Sequence, residues 1–133
     1  MSTQKVVHSV IKPNINTSIA GGATSDATEW FDVNGWTDKV FSYDIDQASG
    51  SVSVTFVAHV SPQGYYELNN KTATTEDYQS ITLAASASAT TLTRVDAGDL
   101  DDLQRPWRSA RFAATNNSAS NATVVSTQIE GWL

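Results

Sequence analysis

The sequence predicts an all-β chain, an antiparallel sandwich or barrel of eight or nine short strands. Three observations carry that expectation. Serine and threonine together number 32 of 133 residues, with many valines and asparagines beside them. Threonine and valine suit pleated strands, and asparagine and serine suit the turns between them. Apolar and polar residues alternate over several short runs, the pattern of a strand with one face buried and one wet. Turn signals recur at the spacing of a sandwich or barrel, and no segment keeps a helical period.

The elements follow in chain order. Residues 4–11, QKVVHSVI, read as a first strand or an extended arm. Residues 12–28 hold Pro13, Asn14, Asn16, Gly21 and Gly22, a flexible connection with no apolar period. TEWFDV then meets Asn34-Gly35, a strong hairpin signal, so WTDKVFSYDID is expected to return against it. In that return strand Phe41, Tyr43 and Ile45 alternate with Ser42, Asp44 and Asp46. GSVSVTFVAHV (50–60) is the clearest strand, with Val52, Val54, Phe56, Ala58 and Val60 on one face. SPQG makes a turn, and YYEL (65–68) reads as a short strand. YQSITL (78–83), TTLTRVD (90–96), 107–115 and 121–132 supply the remaining strands. ASASAT (85–90) fits a loop or a weak edge. AGDLDDLQRP is an acidic loop with room for one helical turn.

Composition narrows the function classes. A net charge of −6 disfavours nucleic-acid binding, which usually needs a basic excess. The absence of cysteine removes disulfides, thiolate zinc sites and cysteine nucleophiles. No apolar run approaches the roughly 20 residues of a membrane span. The N-terminus lacks the apolar core of a signal peptide, so synthesis and folding in a cytoplasm are expected. The four glycosylation-type tripeptides at Asn16, Asn70, Asn116 and Asn121 therefore carry no weight. One domain is expected, with an arm and linker over 1–27 and the β-domain over 28–133.

The candidate chemistry is sparse. His8 and His59 lack metal-ligand spacing in sequence and read as surface histidines. No G-x-S-x-G elbow supports a hydrolase triad. Asp96, Asp99, Asp101 and Asp102 cluster in one loop, without the spacing of a calcium loop, and read as solvated charges. No enzyme, metal or cofactor is expected. The aromatics carry more information. Trp30, Trp36, Tyr65 and Tyr66 cannot all enter one core, and exposed aromatics either stack on sugars or anchor a protein interface. The alternative is that Trp30 and Trp36 cover an end of the domain.

QRPWRSARFAAT (104–115) holds three of the eight basic residues. Alternation places Ala110, Phe112 and Ala114 on one face and Arg111 on the other. Arg105 and Arg108 fall near the strand's start. The three arginines therefore form no single patch, and an ion pair with the acidic loop 96–102 or a neighbouring subunit is expected.

EWFDVNGWTDKVFSYDID, then GSVSVTFVAHVSPQGYYEL, then RPWRSARFAATNNSASNATVVSTQIEGW resembles the small β-sandwich subunits of tailed-phage virions. The resemblance covers about residues 28–132. It implies a jelly-roll-like antiparallel β-sandwich of about eight or nine strands with an extended N-terminal arm. It also implies a virion structural protein, a capsid decoration (cement) subunit or a small head-fibre or tail subunit. The implied partners are the major capsid protein or other virion subunits and further copies of the chain, with a trimer favoured. The same strand order looks like jelly-roll modules that bind carbohydrate, so a glycan-binding module or fibre subunit is the alternative. Expected contacts are Val6, Val7 and Val10 in the arm, with Trp30, Trp36, Tyr65, Tyr66, Arg108 and Arg111 on the domain.

Overall fold

The computed structural model describes residues 6–11, 19–24, 29–48, 51–88, 93–95, 101–119 and 121–132. Among these the chain is mostly β. Its strands are β1 (Val6–Ile11), β2 (Phe31–Asp32), β3 (Thr37–Ala48), β4 (Val54–Ser61), β5 (Gln79–Ala87), β6 (Thr93–Val95), β7 (Ser109–Asn116) and β8 (Thr123–Trp132). A five-residue helix, α1 (Tyr65–Asn69), joins β4 to β5, and a 3-10 turn (Asp101–Gln104) precedes β7. β2 and β6 are only two and three residues long, and each fills an edge place.

All pairing is antiparallel. β1 pairs with β8, β2 with β7, β3 with β6 and β4 with β5. The chain thus runs as one long hairpin folded back at α1. β8 also pairs with β3, and β7 with β4. Two open four-stranded sheets result, in the orders β1-β8-β3-β6 and β2-β7-β4-β5.

The inner faces of the two sheets share a core. Val54, Phe56, Ala58 and Val60 of β4 are fully buried, as their alternation predicts, and so are Ala110 and Phe112 of β7. From the other sheet come Phe41, Ile45, Val125 and Ile129. Two aromatic contacts cross between the sheets. Phe41 meets Phe112 edge-on at 5.4 Å, and Tyr43 stacks on Phe56 at 4.5 Å. Burying such rings contributes roughly 2 kcal/mol each through the apolar area removed from water.

Lys39 enters this interior at an irregularity in the β3–β8 register between Thr37 and Val40. It is 1% exposed, and its Nζ donates to the carbonyls of Arg105 at 2.9 Å and Trp36 at 3.3 Å. Gln104 then bonds both backbone groups of Lys39, at 2.9 and 2.6 Å. The end of the 3-10 turn is thereby tied to β3, and the buried Lys39 Nζ finds backbone carbonyls to donate to.

Three sequence expectations need correction. The Asn34-Gly35 turn forms, with Trp36 N–H donating to Val33 O at 3.0 Å and Gly35 at φ 81, a conformation glycine adopts without a Cβ clash. It is not a hairpin, because β2 pairs with β7 and β3 with β8. A two-residue β2 cannot compete with β8 for the twelve-residue β3, so the turn carries the chain from one sheet to the other. YYEL is helical rather than extended. Leu68 is its one buried residue, and Leu68 N–H donates to Gly64 O at 3.2 Å.

The third concerns the N-terminal region. β1 is laddered along β8 from Val6↔Trp132 to Ile11↔Thr127. Ile19 is 3% exposed and exchanges both backbone bonds with Thr123, at 2.7 and 3.1 Å. Gly22 N–H donates to Asn116 O, and Asn116 N–H to Ala23 O. The described parts of 1–27 are therefore built into the sheets rather than reaching away from them. The linker residues 12–18 and 25–28 lie outside the described residues.

Candidate functional site

The outer face of the β2-β7-β4-β5 sheet gathers the polar aromatics at the end where β4 leaves for α1. Two arrangements form there, and the expected site residues divide between them.

The first is a closed cluster. Trp30 is 3% exposed although it faces away from the core. Asn69 at the end of α1 holds it from outside, accepting from Trp30 N–H at 2.8 Å and donating to Trp30 O at 2.9 Å. The Arg111 guanidinium lies 4.5 Å from the centre of the Trp30 ring and 5.1 Å from that of Tyr78. Arg111 Nε–H donates to His59 Nδ1 at 3.0 Å, and the His59 ring stacks on Tyr78 at 4.2 Å. Partial burial, and then the Arg111 charge, push the His59 pKa down to about 4. At neutral pH the ring is uncharged, and its Nδ1 lone pair is free to accept. His59 thus has a guanidinium as its partner, not the carboxylate that orients the base of a hydrolase triad.

The second arrangement is open. Asp32, Asn34, Gly64, Tyr65, Tyr66, Glu67 and Arg108 line a cavity of about 190 Å³ between the β2 turn and the start of α1. Tyr65 is 45% exposed and Tyr66 73%. Asp32 is exposed and its Oδ1 accepts Asn34 N–H at 2.9 Å, and among the described residues its second oxygen has no partner. Gly64 has extended backbone (φ −69, ψ 147), so any residue could adopt its conformation. A Cβ there would stand in ordinary contact with the Arg108 guanidinium, 3.4 Å from Nη2. Among the described residues nothing pairs with the Arg108 guanidinium.

The structure therefore brings Tyr65, Tyr66 and Arg108 together, and Trp30 with Arg111. Trp36 is separate from both, in the core at 9% exposure. Trp30 and Trp36 are both buried within the chain. Val6, Val7 and Val10 pair through their backbones with Trp132, Gly131 and Gln128. The three arginines of 104–115 go three ways, as alternation requires. Arg105 Nε pairs with Asp102 at 3.2 Å, Arg108 edges the cavity, and Arg111 joins Trp30.

Sequence reasoning missed Asp32, Asn34, Glu67 and Tyr78. In the sequence Asn34 signals only a turn, and Tyr78 only the start of a strand. Asp96 and Asp99 of the acidic loop lie outside the described residues. Among those described, no group of three or more His, Asp or Glu could hold a metal ion. Among them also, no helix is long and apolar enough to cross a membrane. No family profile, curated protein or solved structure matches the chain.

Proposed function

We propose that the chain is a jelly-roll sandwich subunit of a tailed-bacteriophage particle, one that decorates and stabilises the capsid surface. The observation behind this reading is the strand order. Four nested antiparallel pairs, β1·β8, β2·β7, β3·β6 and β4·β5, alternate between two sheets. Such nesting supports a long hairpin rolled into two Greek keys, as in viral capsid and lectin jelly rolls. The resemblance of residues 28–132 to small virion subunits points the same way.

The physical requirements of such a role agree. A decoration subunit has to fold alone, stay soluble and gain its hold from many weak, repeated contacts. Net charge −6 and a surface rich in serine and threonine favour solubility. Its partners are the major capsid protein and further copies of itself, with a trimer as the expected assembly. The exposed Tyr65–Tyr66 end and the open strand edges are the surfaces available for contact.

Light scattering on the purified chain tests the assembly. The reading expects three times the 14.3 kDa chain mass. A strictly monomeric chain at high concentration counts against the three-fold placement and shifts weight to a free binding module.

A further inference from the structure

We propose that the cavity between the β2 turn and α1 is a binding site for one neutral sugar ring, with Tyr66 as the stacking surface. This inference does not rest on the virion reading, and its test needs no particle.

Tyr65 and Tyr66 are the exposed large apolar side chains among the described residues, at 45% and 73%. Phe31, Phe41, Phe56, Phe112, Trp30, Trp36 and Trp107 are all at least partly covered. Nothing in the fold requires two adjacent tyrosines in water. α1 is what brings them to one place, because a helix turns both toward the same opening where a strand would have split them across two faces. A tyrosine face left open beside hydrogen-bonding groups is the arrangement on which the apolar face of a ring can stack.

The remaining lining restricts the ligand. Asp32, Glu67 and Arg108 place two carboxylates and one guanidinium around the opening. An anion would meet the two carboxylates, a cation would meet Arg108, and an apolar ligand would bury charges without partners. A neutral polyol suits all three. Its hydroxyls donate to the free Asp32 oxygen and to Glu67, and accept from Arg108 and the Asn34 side chain. The volume of about 190 Å³ is below the roughly 300 Å³ where pockets for drug-sized ligands begin, which limits the occupant to about one ring.

The test uses the full chain with carbon-13-labelled tyrosine rings, followed by NMR. The probes are methyl glycosides of glucose, galactose, mannose and N-acetylglucosamine, with a methyl glucuronide as the anionic control, each to tens of millimolar. At least one neutral glycoside should give saturable shifts at Tyr65 and Tyr66 and leave the rings of Tyr43 and Tyr78 unmoved. Tyr66→Ala should weaken that binding about tenfold or more, and Tyr66→Phe should retain it. Arg108→Gln should weaken it as well. Both side chains are exposed, so near-ultraviolet circular dichroism should report an intact fold for each variant. The proposal is overturned if no neutral glycoside shifts these rings, if only the glucuronide does, or if Tyr66→Ala binds as the parent does. A chain that binds glycosides but no phage head keeps this site and loses the virion reading. The converse result does the reverse.

Discussion

The Arg111 guanidinium lies 4.5 Å from the centre of the Trp30 ring while its Nε–H is bonded to His59. A residue that sequence alternation places on an outer face is thus enclosed by aromatic surfaces. An Arg111 substitution therefore tests the fold. Arg111→Glu should destabilise the fold by about 1–2 kcal/mol, through the lost cation–π contacts and the lost bond to His59. Arg111→Lys should recover part of it, since an ammonium keeps the charge but not the planar stack. Urea unfolding midpoints measure both. An unchanged midpoint for Arg111→Glu would show the stack to be without weight.

His59 makes stability depend on pH. Its folded-state pKa, about 4, lies below the unfolded value near 6.5. Between those values the unfolded chain binds the proton first, so stability falls as pH drops from about 6.5 toward 4. Because the ring is only partly buried, solvent screening makes the loss modest. His59→Gln should flatten this part of the curve of urea midpoint against pH. A variant with the parent's slope would place the dependence elsewhere.

Asp77 fastens the loop between α1 and β5. Its carboxylate accepts from Thr74 N–H at 2.8 Å, Gln63 Nε2 at 3.0 Å and Lys71 Nζ at 2.9 Å. Those bonds, the backbone one first, hold its pKa well below the usual carboxylate range. The lock is therefore complete above the ordinary carboxylate pKa and is lost only in strong acid. Asp77→Asn should raise amide hydrogen exchange across residues 71–77 and leave the global midpoint nearly unchanged. Exchange as slow as the parent's would contradict it.

Deleting residues 1–20 should destabilise the isolated domain. The cut removes β1, which covers the β8 edge, and Ile19, which is buried against the second part of the core. Loss of capsid attachment in such a truncation would not by itself identify an arm. The thermal midpoint of the truncated chain is the check, with a fall of several degrees expected. Ile19→Ala alone should cost about 2–4 kcal/mol.

Much of this fold is legible in the sequence because its long strands alternate cleanly. Phe41 and Ile45, Val54 to Val60, and Ala110 to Ala114 announce their inner faces, and those faces are buried. Partner choice is less legible. Asn34-Gly35 specifies a turn but not which strands it joins, and the long β3–β8 ladder, whose partners from Thr37↔Trp132 to Ala48↔Thr123 lie far apart in sequence, decides that. Tyr65-Tyr66 was misread because two aromatics suit a strand. The buried Leu68 and the Gly64 carbonyl that receives its N–H make the segment a helix instead. The cavity could not be read at all, since Asp32, Tyr66 and Arg108 meet only once β2, β7 and β4 are paired in one sheet.

The most direct test of the virion reading is co-sedimentation. On the proposed reading, tailed-phage heads assembled without this chain are mixed with the purified protein and pelleted through a density gradient. The account predicts saturable binding at a fixed number of copies per head, together with heads that resist heat or dilution better when loaded. A chain that stays at the top of the gradient at every concentration would contradict it.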